Sequence, residues 1–118
     1  MKSSELEQRL IAFAVDIIKV VDDTPSTKAG NHLAGQLVRS GTAPALNYGE
    51  ALGAESKKDF IHKISVVLKE LRESHITLQI LLKSTLYLDR AFIETMIKEA
   101  NELISIFVKT VVTSKRNL

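Results

Sequence analysis

The polar residues in the middle of the chain are the first candidates for chemistry. Arg39, Asn47 and Glu50 lie in one predicted helix, and Glu70 and Glu73 lie in the next. An arginine beside carboxylates forms an ion pair, which a protein interior tolerates when both groups are hydrogen-bonded. Catalysis would also need a pocket and a nucleophile or an activated water. The sequence supplies no such constellation, so we interpret these residues as structural groups that fix the helix register or a subunit interface.

The three histidines, His32, His62 and His75, do not have the spacing of a metal site. None has an i,i+4 partner or a Glu-x-x-His motif, of which a di-iron bundle needs two. His75 lies on an apolar helix stripe, where we expect a hydrogen-bonded core or interface residue. The chain has no cysteine, which excludes thiol chemistry, and it has neither glycine-rich nucleotide motif. We therefore expect no enzymatic activity, no cofactor, no metal and no small-molecule substrate.

Basic residues of the third predicted helix are the candidates for nucleic-acid binding. They are Lys57, Lys58, Lys63, Lys69 and Arg72. Acidic residues are interleaved with them, and the net charge is only +2, whereas a nucleic-acid binder usually has a clustered basic stripe. One interpretation is a solvated helix face with i,i+4 pairs such as Lys69 and Glu73. The other is a weak interface for RNA or DNA, which repetition in a ring would strengthen.

The segment that must position Arg39, Asn47 and Glu50 is poor in charge. All five glycines lie between Gly30 and Gly53. From position 27 to position 54 the only charged residues are Lys28, Arg39 and Glu50. A surface helix needs a polar outer face, so we expect this segment to be wrapped by its own chain and by other copies of it.

A row of mostly small residues with a step of four runs along this segment. It is Leu33, Leu37, Gly41, Ala45, Gly49 and Gly53. Interior glycines cost about 1 kcal/mol each in an exposed helix, and Pro44 costs about 3 kcal/mol. Either the segment breaks into a loop near Pro44, or close packing along the row offsets the cost. Because a loop does not need a step of four, we predict a helix kinked at Pro44, with oligomer or register contacts along the row.

Apolar spacings of three and four predict four helices and no strand. The predicted spans are 4–21, 27–52, 56–83 and 89–113. Ser4 with Glu7, and Ser56 with Asp59, have the form of capping boxes, and Asp89 is a good N-cap. Four helices of comparable length with short links predict a single all-α domain over 1–118, an antiparallel up-down-up-down four-helix bundle.

The composition also bounds where the protein works. No window of about 18 uncharged apolar residues exists, so we expect no membrane span. The opening residues carry charges within an amphipathic pattern, which does not fit a signal peptide. With no cysteine, the chain suits a reducing compartment. We expect a cytoplasmic protein.

The helix-two and helix-three motifs resemble those of a known family. They are Gln36-Leu37-Val38-Arg39-Ser40-Gly41-Thr42, Asn47-Tyr48, Glu50-Ala51, Lys58-Asp59-Phe60-Ile61, and Lys69-Glu70 with Glu73. They are similar to the four-helix bundle proteins of bacteria that are related to those encoded in intervening sequences of large-subunit ribosomal RNA genes. The chain departs from the family pattern at Pro44-Ala45 and at Ile76-Thr77.

The resemblance implies an antiparallel bundle that associates as a ring, with a homopentamer favoured, and no catalytic activity. A related branch, the accessory proteins of diversity-generating retroelements, uses a basic pentamer to engage nucleic acid. The near-balanced charge here argues against that branch. We therefore expect a self-associating scaffold, with a nucleic-acid-binding accessory protein as the alternative.

Overall fold

Four long helices make up almost the whole chain in the computed structural model, which describes residues 1–118. The helices are α1 (Ser3–Asp23), α2 (Lys28–Leu52), α3 (Lys57–Lys83) and α4 (Arg90–Arg116). The molecule measures 46 × 22 × 20 Å. The predicted all-α fold is confirmed, and none of the helices is long and apolar enough to cross a membrane.

Pairings along the seams show that consecutive helices run antiparallel. Between α2 and α3, Ser40 pairs with Ser74 and Glu50 with Lys63, so one residue number falls as the other rises. The same inversion holds between α3 and α4, where Lys57 donates to Asn117 just after α4 and Arg90 donates to Leu82. It also holds between α1 and α2, where Gly41 lies beside Ile17 and Gly49 beside Glu7. The arrangement is the predicted up-down-up-down bundle.

Three of the four helices begin directly after a residue whose side chain caps the helix. The side chains of Thr27, Ser56 and Asp89 accept hydrogen bonds from the backbone N–H three residues on, which satisfies an otherwise unpaired donor. The predicted capping box of Ser4 and Glu7 is wrong: α1 already begins at Ser3 and its N-cap, Lys2, makes no side-chain bond. Helix α4 also extends to Arg116, three residues beyond the predicted end.

The core is built from one apolar stripe of each helix. Twenty buried hydrophobic residues form a single cluster, and burying each large side chain contributes about 1.5–3 kcal/mol. Tyr48 packs its ring edge-on against Phe107, with centroids 5.5 Å apart. This contact joins α2 to α4 across the centre, so α1 and α3 flank α2 and α4 lies opposite it.

Three of the four seams are extensive and one is not. Helices α1 and α4 make far fewer contacts than the pairs α1–α2, α2–α3 and α3–α4. Polar groups join that fourth seam, including Arg9 with Glu99 and Lys19 over the ring of Phe92. The bundle is therefore held mainly by α2 and α3.

Pro44 does not break α2. It is buried inside the helix, which continues to Leu52. A proline cannot donate to the carbonyl four residues earlier, here that of Ser40, and burial against the core offsets this loss. The loop alternative is wrong, and the expected kink stays a prediction.

Candidate functional site

Arg39 bridges two carboxylates on the seam between α2 and α3. Its guanidinium lies 3.8 Å from Glu70 and 3.4 Å from Glu73, so the predicted Arg39–carboxylate pair is present. The chain itself does not enclose Arg39, whose side chain is 61% exposed, and the expected cover by other copies stays a prediction. Glu70 is only 7% exposed, and its Oε2 has no hydrogen-bond partner. An unmet buried acceptor costs about 1–3 kcal/mol, and the positive charge of Arg39, 3.8 Å from this oxygen, offsets part of that cost.

A groove of about 280 Å³ lies beside this cluster. We call it the α2/α3 groove; it is lined by Gln36, Arg39, Ser40, Glu73, Ile76, Thr77 and Ile80. Ile76 is 58% exposed and Ile80 is also exposed. Both isoleucines continue the apolar spacing of α3, but the structure leaves them outside the core. Helical spacing alone does not separate the edge of a stripe from the surface beyond it.

The other polar residues predicted on α2 act locally. Asn47 donates from Nδ2 to the carbonyl of Ala43, at 2.9 Å, which is a contact within the helix. Glu50 accepts from Lys63 at 2.9 Å, and this hydrogen bond raises the pKa of the Lys63 ammonium. Both ends of the Glu50–Lys63 pair are accessible to water, so it fixes the α2–α3 register weakly.

The small-residue row packs closely at one position only within the protomer. A Cβ added at Gly41 would lie 2.6 Å from two carbons of Ile17, so α1 and α2 approach closely there. A Cβ at Gly49 would meet only the Glu7 carboxylate, at 3.6 Å, and Gly53 lies beyond the helix as its C-cap. Ala45 is half-buried. The expectation of one continuous close-packed row is wrong for the single chain.

The structure divides the five predicted basic residues. Lys58, Lys69 and Arg72 are exposed and, at about 100° per residue, share the outer face of α3. Lys57 instead donates to the carbonyl of Asn117, and Lys63 is held by Glu50. Exposed Lys83 was missed by the sequence analysis and lies on the same outer face. Three of the predicted residues thus form a basic row, and two do not join it.

An apolar surface covers the outside of α1 and α2. We call it the α1/α2 patch; it consists of Ile11, Val15, Ile18, Val38 and Leu46, all at least 36% exposed. Ile18 continues the apolar spacing of α1, but it is 46% exposed, whereas Val20 is buried. On α4, by contrast, Val112 is the only large hydrophobic residue exposed.

Arg9 makes the best-formed ion pair of the molecule, and the sequence analysis missed it. Its Nε and Nη2 each donate to Glu99 at 2.7 Å, and Nη2 lies 3.0 Å from Glu102. These bonds raise the pKa of the guanidinium above its ordinary value. The partners lie 90 positions apart, so only the antiparallel alignment of α1 with α4 could have indicated the pair.

His75 is half-buried and its Nδ1 lies 3.1 Å from Nε2 of Gln79, which confirms the expected hydrogen-bonded role. No three of the His, Asp and Glu side chains are grouped so as to hold a metal ion. A second hollow, of about 440 Å³, lies at the end of the bundle. Its lining contains Lys57 but no histidine or carboxylate, so it offers no acid–base pair.

The fold has a close counterpart among solved structures. The chain superimposes with a TM-score of 0.84 on the crystal structure of a protein of unknown function from the S23 ribosomal protein family of Bacteroides thetaiotaomicron. The two are 28% identical, and the match covers 94% of this chain and 98% of the other. A comparison with curated proteins gives no match.

The family described as 23S rRNA-intervening sequence protein matches residues 2–109. The match covers all of α1, α2 and α3 and most of α4, including the Arg39 cluster, the α1/α2 patch and the α2/α3 groove. The resemblance noted in helices two and three therefore extends over the bundle: the chain belongs to the 23S rRNA-intervening sequence protein family.

Proposed function

We propose that this protein is a non-enzymatic, self-associating bundle that forms a ring-shaped homo-oligomeric scaffold in the cytoplasm, with a pentamer favoured. The observation that carries the proposal is the outer surface of α1 and α2. It exposes five large apolar side chains, while α2 contributes only Lys28, Arg39 and Glu50 as charges. Contiguous exposed apolar surface of this kind is typical of protein–protein contact sites.

The contrast with α4 supports this proposal. The outer side of α4 carries exposed residues of both signs, including Glu94, Lys98, Glu102 and Lys109, as expected of a helix facing water. If every side of the bundle faced water, we would expect that pattern on α2 as well. The charged outer side of α4 therefore suits contact with water, and the apolar outer side of α1 and α2 suits contact with another copy.

Sedimentation at micromolar concentration tests the proposal. We expect a species of about five times the 13.1 kDa chain. A single species of 13.1 kDa would overturn self-association. Raising the salt concentration should not dissociate the assembly, because apolar contacts rather than exposed charge pairs hold it.

A nucleic-acid-binding accessory protein is the second candidate, favoured by the basic row on α3. Lys58, Lys69, Arg72 and Lys83 are all exposed on one side of that helix. One such row is a weak attraction, but a ring repeats it in every copy, and multivalency multiplies weak contacts. Ribosomal RNA or retroelement-associated nucleic acid is the proposed partner.

Salt titration of binding to a structured RNA tests this second function. We expect affinity to fall steeply with salt, since phosphate contacts release counterions. The double variant Lys69→Gln with Arg72→Gln should bind more weakly and with a shallower salt dependence. The matched control is Lys98→Gln with Lys109→Gln on α4, which should bind like the wild type. Equal loss in both double variants would mean that net charge, rather than the α3 row, causes binding.

A further inference from the structure

Two exposed isoleucines interrupt the basic row on the outer face of α3. Ile76 is 58% exposed and Ile80 is 44% exposed. At about 100° per residue, they share a sector of about 80° with Lys69, Arg72 and Lys83. We call these five residues the α3 docking face. It extends for about 21 Å along the helix, because each residue adds 1.5 Å.

The two isoleucines form a short apolar ridge with a recess on each side. One recess is the α2/α3 groove, and the other is a shallow hollow of about 560 Å³ on the outer side of α3. Both recesses are lined by Ile76 and Ile80. Side chains four residues apart on a helix form the ridge that packs into the groove of a second helix. The shape of this face therefore suits an incoming helix.

The charges around the ridge are positive at both of its ends. Exposed Lys69 and Arg72 precede the isoleucines, and exposed Lys83 follows them. The acidic residues between positions 69 and 83 are Glu70, which is buried, and Glu73, which lies 3.4 Å from the Arg39 guanidinium. Complementary charge steers partners together and fixes their register. A matching partner would therefore be acidic near both ends of its contact and apolar between them.

The apolar ridge favours a protein partner over a nucleic acid on this part of α3. A phosphate backbone would pair with the lysines and the arginine, but it has no apolar group to cover Ile76 and Ile80. Single-stranded nucleic acid stacks its bases on aromatic side chains, and the α3 docking face contains none. An amphipathic helix, by contrast, presents apolar side chains at spacings of three and four residues.

We propose that the α3 docking face binds an acidic amphipathic helix of another protein. A helix of about 14 residues spans the 21 Å face, with apolar side chains on the isoleucine ridge and carboxylates opposite Lys69, Arg72 and Lys83. The whole face lies within one chain and apart from the α1/α2 patch, so this binding does not depend on self-association.

Selection from a displayed library of random 14-residue peptides tests the proposed chemistry. The target is the wild-type protein, and peptides that also bind the double variant Ile76→Ser with Ile80→Ser are removed. We expect the retained peptides to carry net negative charge and at least two apolar residues spaced three or four apart. Retained peptides that are basic or lack this spacing would overturn the proposal, and so would a selection that retains none.

Binding of one retained peptide, made synthetically, then separates the two parts of the face. We expect Ile80→Ser to weaken binding by about tenfold, because an apolar contact is lost. Arg72→Gln with Lys83→Gln should weaken it by about tenfold at low salt and by less at high salt, because salt screens exposed charges. Circular dichroism confirms that each variant is folded.

Matched controls for both changes lie on α4. Val112, which is 46% exposed against 44% for Ile80, is replaced in Val112→Ser. Exposed Lys98 and Lys109 are replaced together by glutamine. Both controls should bind the peptide like the wild type, and an equal loss in the controls would overturn the assignment to α3.

A structured RNA is the competing occupant of this face. The peptide should compete with the RNA if both use the face, and Ile76→Ser with Ile80→Ser should weaken the peptide alone. RNA binding that needs Arg72 and Lys83, combined with peptide binding that is unaffected by the isoleucine substitutions, would assign the face to nucleic acid and overturn the proposal.

Discussion

Arg9 is the single residue that joins α1 to α4 most firmly. Its guanidinium forms a bidentate pair of hydrogen bonds with the Glu99 carboxylate, and its side chain is only 23% exposed. Paired geometry and partial burial make such a bond stronger than a typical surface pair. The pair thus stabilises the seam that has the fewest apolar contacts.

Replacing this arginine should measure that contribution. We expect Arg9→Gln to lower the free energy of unfolding by about 1–2 kcal/mol, between an exposed pair and a buried one. Urea denaturation of the wild type and the variant measures the difference. Lys63→Gln, which breaks the exposed pair with Glu50, is the matched control and should change little. Similar losses in the two variants would show that the Arg9 geometry has no special role.

Tyr48 links stability to alkaline pH. Burial raises the pKa of its phenol, and the negative charge of Glu7 raises it further. Because the folded-state pKa lies above the unfolded value, the stabilisation is fully present below about pH 10, the unfolded pKa, and is lost as the pH rises through the folded pKa. Tyr48→Phe keeps the ring on Phe107 and should flatten this decline. Urea titrations from about pH 8 to pH 11 should show a shallower slope for the variant; an unchanged slope would assign the decline to other groups, such as Lys63.

At the scale of elements, the sequence predicted the four helices to within three residues at every end. Caps such as Thr27 and periodic apolar stripes are local features, so they can be read without the fold. Which stripe-edge residues are buried depends on the rotation of each helix against its neighbours. Ile18 and Ile76 continue the apolar spacing of their helices and are nevertheless exposed.

The sequence indicated which residues form the candidate site, but it did not indicate how exposed they are. The sequence indicated Arg39, Glu70 and Glu73 as a structural cluster, and the fold brings the three together. Their exposure could not be read from the low charge of α2, because a charge-poor segment can be covered by its own chain or left for a partner. The distribution of charge along a sequence does not say which.

Helix α2 approaches α1 most closely at Gly41, and this contact yields an element-scale prediction. Gly41→Ala would place a methyl group 2.6 Å from Ile17, and overpacking of this kind typically costs about 1–3 kcal/mol. Gly35→Ala is the control in the same helix, with nothing within 4 Å of the added carbon, and it should be neutral or stabilising by up to about 1 kcal/mol. Denaturant midpoints of the two variants compare them directly. Equal midpoints would mean that Ile17 and α1 shift away from the added methyl group without a loss of stability.

At the scale of the whole molecule, Gly49 separates folding from assembly. Its position is open in the single chain, where an added Cβ meets only Glu7 at 3.6 Å, and no glycine has a positive φ. Gly49→Ala and Gly49→Leu should therefore both leave the fold intact, since either residue favours a helix over glycine. In the self-association that we propose, the exposed side of α2 contacts a neighbouring copy, so leucine at this position would crowd that copy and alanine would not.

We accordingly expect Gly49→Leu to lower the oligomeric mass in sedimentation, with Gly49→Ala as its control. The circular dichroism spectrum of both variants should match that of the wild type. An unchanged mass with leucine would place Gly49 away from any contact between copies. A fall in melting temperature with leucine at concentrations that give only monomer would contradict the open position seen in the single chain.

The sparse seam between α1 and α4 has a consequence for how the protein moves. Local opening of a protein starts at the boundary with the fewest buried apolar contacts. Here that boundary is the α1–α4 seam, where α1 can move away from α4 once the Arg9–Glu99 bond breaks. The backbone amides of α1 should then exchange their hydrogens with solvent faster than those of α3, which is packed on both sides. A detached α1 could also dock on a neighbouring copy, since the 24–27 connection is a natural hinge, and the same ring could then form by exchange of a helix between subunits.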